Sequence, residues 1–272
     1  MVKILFFVML FFSFSLADEL DDKIRTFMSS NIYEKNRDYI KVLFSPKSSF
    51  YSKERINTIK VVQTLKENGL LNLAFSSPQE LRLEFKSSGS PLFLVKLVSD
   101  SLRDIGYYRF VTESSTFDES EFTWSIVLTS ENATDPTSLQ RELSKKGCNI
   151  IDIKMQSLQK WSYVVDIQKG FFDVEKLSLG NALSLKRSLY SHWVNVINVQ
   201  TLMIQSPSSN EWYPYIAFYD KSLHLLELIK KDEKQRELQI EVPRNAKYMK
   251  VSDLYTLKNI KEELSLQALE GR

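Results

Sequence analysis

"LRLEFKSSGSPLFLVKLVSDSLRDIG", residues 81–106, changes its apolar period halfway through. Leu81, Leu83 and Phe85 alternate with Arg82 and Glu84, the spacing of a strand buried on one face. "SSGSP" interrupts the alternation. It places Ser90 to cap a helix and Pro91 at the first helical position, where a missing N–H costs nothing. Val95, Val98 and Leu102 then recur at helical spacing as far as Gly106, a residue that accepts the left-handed backbone at a helix end.

The same grammar repeats downstream. Tyr108 and Phe110 open a second strand. Phe122, Trp124, Ile126 and Leu128 alternate with polar residues in a third. Asp135-Pro136 again combines cap and proline, Leu139 and Leu143 supply the inner face, and Gly147 stops the helix. Ile151, Ile153 and Met155 predict a fourth strand, and Trp161, Tyr163, Val165 and Ile167 a fifth. The order β-α-β-β-α-β over residues 79–170 predicts a ferredoxin-like domain.

Upstream, residues 18–78 predict an amphipathic helix and a β-α-β unit. Asp18, Glu19, Asp21 and Asp22 suit a helix N-terminus, with Leu20, Ile24 and Phe27 on one face. Ile40, Val42 and Phe44 read as a strand. Ser52 caps a helix carrying Ile56, Ile59, Val62 and Leu65, which Asn68-Gly69 ends. Leu71, Leu73 and Phe75 resume a period of two.

Beyond Gly170 the helical pattern disappears. Residues 171–182 read as a linker, and residues 183–272 as an antiparallel β-sandwich. Its strand-like runs are Trp193–Val199, Leu202–Gln205, Tyr215–Tyr219, Leu223–Ile229, Leu238–Val242 and Tyr248–Val251, closed by Leu264, Leu266 and Ala268. Turn signals separate them at "SPSSN", "YDKS", "KKDEKQ" and "VPRN". The "YIAFYD" strand followed by a turn, and then "ELQIEVPRNAKYMKVSD", loosely resemble jelly-roll modules of the pre-peptidase C-terminal or carbohydrate-binding kind. That resemblance covers the last third of the chain and implies a fold, not an activity. The expected class is therefore α+β, a ferredoxin-like region followed by a jelly-roll-like sandwich.

The chain opens "MVKILFFVMLFFSFSLADE". Lys3 precedes an apolar run from Ile4 to Leu16, and Ser15 and Ala17 are the small residues a signal peptidase reads. The expectation is a Sec-type signal peptide, residues 1–17, cleaved after Ala17. No later segment is long and apolar enough for a membrane span. Composition in the style of a low-GC bacterium then implies the periplasm. A net charge of +2 leaves no broad electrostatic footprint for nucleic acid. A single cysteine, Cys148, excludes an intramolecular disulfide.

Catalytic signatures are missing from the sequence: no HExxH, GxSxG, GxxxxGK[ST] or GxGxxG occurs. Cys148 follows Gly147 past a predicted helix C-terminus, where the dipole disfavours a thiolate, so it reads as a packing residue. His192 and His224 lie at strand positions and read as structural. Asp152 and Asp166 fall on polar strand faces, and Asp220 and Asp253 near turns, all explained by solvation and turn capping. No catalytic residue, metal ligand or cofactor is expected.

One cluster invites a binding reading. "NEWYPYIAFYD", residues 210–220, holds five aromatic rings. Alternation sends Tyr213, Tyr215, Ala217 and Tyr219 one way, and Trp212, Ile216 and Phe218 the other. Trp212, Tyr213, Tyr215 and Tyr219 are the candidate binding residues, for a protein surface ahead of a sugar. The expected function is non-enzymatic: a periplasmic scaffold or adaptor of an envelope assembly such as secretion, flagellar or adhesion machinery. Carbohydrate or cell-wall binding through the sandwich is the alternative. Expected partners are periplasmic or envelope proteins or a glycan, without nucleic acid.

Overall fold

The computed structural model describes residues 19–118 and 120–270, and the expected signal peptide lies outside them. The chain is mixed α+β, with six helices and mostly antiparallel sheets among the described residues. It divides into two compact units, one up to Gly170 and one from Phe171 onward.

The first unit begins with three short helices: α1 over residues 19–25, α2 (Ser30–Lys35) and α3 (Arg37–Leu43). Leu20, Ile24 and Phe27 are buried, as helical spacing requires. The strand expected at Ile40, Val42 and Phe44 is instead α3. Ile40 and Phe44 are buried four residues apart, whereas Val42 is 71% exposed. A spacing of i, i+2, i+4 fits a strand, but only the i, i+4 pair is used here. A two-stranded ribbon of β1 (Tyr51–Ser52) and β2 (Arg55–Ile56) follows. Ser52 therefore lies in a strand and does not cap a helix. Asn57 caps α4 (Thr58–Glu67), its side chain accepting from Lys60 N–H at 3.0 Å. Gly69 then takes φ +70°, the left-handed value that ends the helix.

The main sheet of this unit comprises β3 (Ala74–Ser87), β4 (Val111–Asp118), β5 (Glu121–Asn132), β6 (Asn149–Ser157) and β7 (Lys160–Asp166), in the order β4-β5-β3-β7-β6. Helix α5 (Pro91–Asp104) leaves β3 and α6 (Pro136–Lys145) leaves β5, and the two pack side by side. β7 runs parallel to β3 and antiparallel to β6, and so lies between them. Leu81, Leu83, Phe85, Trp124, Ile126, Trp161 and Tyr163 are buried from the sheet, as are Leu94, Leu97, Val98 and Leu139 from the helices. Each such side chain contributes about 1.5–3 kcal/mol by leaving water. Phe85 stacks on Tyr163 at 5.4 Å between ring centroids. Arg82, Glu84 and Lys86 alternate with the core positions of β3. Arg82 pairs with Glu113, and Lys86 with Glu84 and Glu121, typical of a solvated face. In β6 a register shift between Ile150 and Asp152 buries Ile150 and Ile153 and leaves Ile151 exposed. That bulge displaces the simple alternation read at Ile151, Ile153 and Met155.

The second unit has eight strands in two four-stranded antiparallel sheets. β8 (Ala182–Leu185), β10 (Thr201–Gln205), β13 (Glu237–Glu241) and β15 (Leu264–Leu269) pair in the order β13-β10-β15-β8. β9 (His192–Asn195), β11 (Pro214–Tyr219), β12 (Leu225–Lys230) and β14 (Tyr248–Asp253) pair in the order β12-β11-β14-β9. One core joins Leu202, Ile204, Leu264 and Leu266 of the first sheet to Val194, Ile216, Phe218, Met249 and Val251 of the second. Residues 171–182, expected as a linker, belong to this unit. Phe172 and Leu177 are buried, and Leu177 N–H donates to Asn195 O at 2.9 Å.

Candidate functional site

The aromatic strand β11 alternates as its sequence demands. Ile216 and Phe218 are fully buried in the sandwich core, and Tyr215 and Tyr219 lie half-buried on the opposite face. Trp212 precedes the strand and lies in the core itself. It is fully buried, and its indole N–H donates to Ser252 O at 2.9 Å. The candidate residues are therefore not one exposed platform, and Trp212 is not at a surface. Tyr213 meets Tyr255 edge-on at 5.0 Å, and its N–H donates to Asp253 Oδ2 at 2.9 Å.

Pairing register builds a second aromatic group that the linear sequence does not display. Tyr219 pairs with Tyr248 of β14, and Lys250 of β14 pairs with Trp193 of β9. Trp193 lies 5.2 Å from Tyr219 and 5.9 Å from Phe172, and Phe172 lies 4.9 Å from Tyr248. Phe172 N–H donates to Tyr248 Oη at 3.1 Å, so the segment after Gly170 is fastened over β14. The Lys230 ammonium sits 5.5 Å from the Tyr215 ring. Burial, with Tyr215 adding to it, raises the pKa of Tyr219. The signal for this group was Trp193 in "SHWVN" and Phe172 in "GFFDV". Only the strand order brings them to Tyr219.

The titratable groups do not converge. Cys148 is buried, and burial first, then Asp166, push its thiol up to about 12, with Lys146 opposing. At that value the thiol stays protonated and unreactive. His192 on β9 and His224 beside β12 stand at opposite edges of one sheet, with β14 and β11 between them. Burial lowers the pKa of His192. His224 Nδ1 lies 2.9 Å from Asp220 Oδ2 in the hairpin turn, while Asp220 Oδ1 accepts from Ser222 and His224 N–H. Asp152 pairs with Lys23 and Thr58, and Asp166 Oδ1 accepts from Gln168 N–H. Asp253 accepts from Tyr213, Tyr255 and Thr256 N–H and from the Asn259 amide. Each acid is thus engaged in local structure. No group of three His, Cys, Asp or Glu among the described residues could hold a metal ion.

Sheet edges are the remaining chemistry. β4 is paired on one side only, to β5, and all eight of its residues are exposed. Thr112, Ser115 and Phe117 pair with Ile126, Trp124 and Phe122, whose side chains are buried. They therefore share the core-facing side of the sheet, yet no helix covers them. Phe117 is 62% exposed. The edge carries no Pro or Lys, and its single irregularity is a register shift between Thr112 and Ser114.

No protein-family model matches the chain, and no curated protein matches it at a significant level. Among the described residues no helix is long and apolar enough to cross a membrane.

Proposed function

We propose that this chain is an exported, non-enzymatic scaffold or adaptor that works through protein contacts, and that it binds its partner by strand addition at β4. The carrying observation is the β4 edge, an eight-residue strand bonded on one side, exposed throughout and left uncovered by α5 and α6. Unpaired backbone N–H and C=O groups along such an edge recognise an extended segment of another chain. Export to the periplasm rests on the sequence of residues 1–17, and an envelope assembly as the destination follows from export.

The architecture we propose is a ferredoxin-like first unit and a jelly-roll second unit. The β3-α5-β4-β5-α6-β6 order supports the first, with β7 as an added strand wedged between β3 and β6. The two sandwich orders, β13-β10-β15-β8 and β12-β11-β14-β9, support the second, since a doubled Greek key distributes eight strands in this way. A glycan reading is favoured by Tyr215 and Tyr219 on one face with Trp193 beside them. The burial of Trp212 weakens it.

The test is in-cell photo-crosslinking from position 117, followed by mass spectrometry, in parallel with Ser115→Pro and Thr116→Pro. Of two adjacent strand residues, one N–H faces the neighbouring strand and the other faces the open edge. One of the two prolines should abolish a specific adduct while leaving the fold intact. Adducts indifferent to both prolines would remove β4 as the docking strand. Retention on peptidoglycan that is lost on changing Tyr215 and Tyr219 to Ala would replace the protein reading with the glycan one.

A further inference from the structure

The four edges of the sandwich are not alike. β8 and β9 are the shortest, with four residues each. β13 alternates strictly, with Glu237, Gln239 and Glu241 outward and Leu238 and Ile240 inward, a charged and polar edge. β12 has six residues, and its leucines face water: Leu225 is 55% exposed, Leu226 41% and Leu228 36%. Its one neighbouring strand is β11. Lys231 N–H continues that ladder by donating to Pro214 O at 3.0 Å. By alternation, the backbone groups of Leu228 and Lys230 point to the open edge.

We infer that β12 is a self-association edge, on which two copies of this chain pair their β12 strands antiparallel about a two-fold axis at Ile229. The occupant is fixed by charge. A two-fold axis perpendicular to the sheet maps each face onto itself, so the register must be centred on a residue. Centring on Glu227 sets that carboxylate against its own copy, and centring on Lys230 does the same with two ammonium groups. Centring on Leu228 leaves Glu227 opposite Ile229, with no counter-charge. Centring on Ile229 places Glu227 opposite Lys231 of the second copy, twice, and sets Leu228 beside the aliphatic stem of Lys230. Ile229 already packs against the sandwich core, and at the axis it meets itself on that same inner face. Pairing joins two four-stranded sheets into one of eight strands, covers Leu228 and satisfies the open backbone groups of Leu228 and Lys230. This edge lies in the second unit and is independent of the β4 reading.

Sedimentation equilibrium of the purified protein, up to about 1 mM where weak interfaces are populated, tests the inference. The variants are Glu227→Lys and Lys231→Glu, both at exposed positions. Wild type should rise toward the dimer mass with concentration. Either variant alone faces like charges twice, and its dimer dissociation constant should rise by about tenfold or more. In an equimolar mixture of the two variants, the introduced lysine of one copy faces the introduced glutamate of the other. The unaltered Lys231 and Glu227 face each other at the second contact. The mixture should therefore regain wild-type association, which also shows that both variants are folded. A wild type that keeps monomer mass throughout, variants that associate as wild type does, or a mixture that fails to regain association would each overturn it.

Discussion

The two units solve the problem of buried polar groups in opposite ways. In the first, helix caps close the chain ends. Asp135 accepts from Thr137 N–H at 3.2 Å at the start of α6, and binds Lys66 at 2.8 Å from α4. In the second, without α-helices among the described residues, two buried side chains tie loops to one another. Asn210 accepts from Lys261 and Glu262 N–H, both at 2.8 Å, and Asp253 gathers the four donors named above. The capping bond of Asp135 to Thr137 spans two residues, although its pair with Lys66 spans 69. The bonds of Asn210 to Lys261 and Glu262, and of Asp253 to Tyr213, span 40 to 52 positions, and such hubs tie loops rather than helix ends. Where the first unit lacks a partner it tolerates the lack: Thr134 Oγ1 and Tyr163 Oη are its two buried, unpartnered hydroxyls among the described residues.

The comparison is broken most directly at the sandwich core. Trp212→Ala removes a fully buried indole and its bond to Ser252 O. The expected loss is about 3–5 kcal/mol, confined to the transition that carries the second unit. Denaturant unfolding followed by tryptophan fluorescence and by circular dichroism measures it. An equal loss in the first unit's transition would mean that the two units unfold as one.

Asn210→Ala comes next. It orphans the N–H groups of Lys261 and Glu262, and two lost bonds to a buried amide cost about 2–3 kcal/mol together. Hydrogen exchange at those two amides should accelerate before any change elsewhere. If a distant strand opens first, Asn210 is not the hub.

The first unit should lose less when a cap is removed. Asp135→Ala should cost about 1 kcal/mol, discounted because the pair with Lys66 is partly solvated. Burial opposes ionisation of Asp135, but the bonds from Lys66, Thr137 and Ser138 outweigh it, so the folded pKa lies below the usual 3.8. A depressed carboxyl stabilises the fold above its unfolded pKa. That contribution is lost as pH falls through the folded value. Wild type should therefore lose stability below about pH 4, and the variant should lose less over the same window.

These features differ in how far the sequence discloses them. Ser90-Pro91 and Asp135-Pro136, with Gly106 and Gly147, mark α5 and α6 because the cap position and its helix are neighbours in the chain, although only Asp135 caps through its side chain and Ser90 makes no such bond. Asn210 and Asp253 look like ordinary turn residues, since the Lys261 and Glu262 N–H groups bonded to Asn210 and the Tyr213 N–H bonded to Asp253 lie 40 to 52 positions away. Ile40 and Phe44 suit helix or strand equally by spacing, and only packing buries that pair and exposes Val42. β8 offers just Leu183 and Leu185 as inward positions, too few to announce a strand. Trp193 joins Tyr219 only once β14 lies between their strands.

A smaller effect sharpens the contrast at Cys148. Cys148→Ser puts a stronger donor where the thiol now sits 3.5 Å from Lys146 O in a buried site. The expected loss is about 1 kcal/mol, from exchanging a small apolar group for a hydroxyl. Thiol labelling of the native wild type should be slow and should follow local opening. Rapid labelling under native conditions would contradict the buried, protonated thiol.

The smallest effect carries the opposite sign. Tyr163 is fully buried on β7, its ring stacked on Phe85 at 5.4 Å and on Trp161 at 6.4 Å, and its hydroxyl has no partner. Burial first, then Tyr107 and Asp135, hold its pKa well above 10. The hydroxyl therefore remains neutral, and its removal has no ionic consequence. A buried donor left without an acceptor costs its desolvation, whereas the ring contacts depend on shape and survive in phenylalanine. Tyr163→Phe should leave the first unit equally stable or more stable, by up to about 1 kcal/mol. In the second unit no buried side-chain polar atom among the described residues lacks a partner, so no comparable gain is available there. Thermal unfolding of the variant decides the point. A loss of more than about 1 kcal/mol would mean that the Tyr163 hydroxyl is bonded in solution, and the asymmetry between the units would disappear.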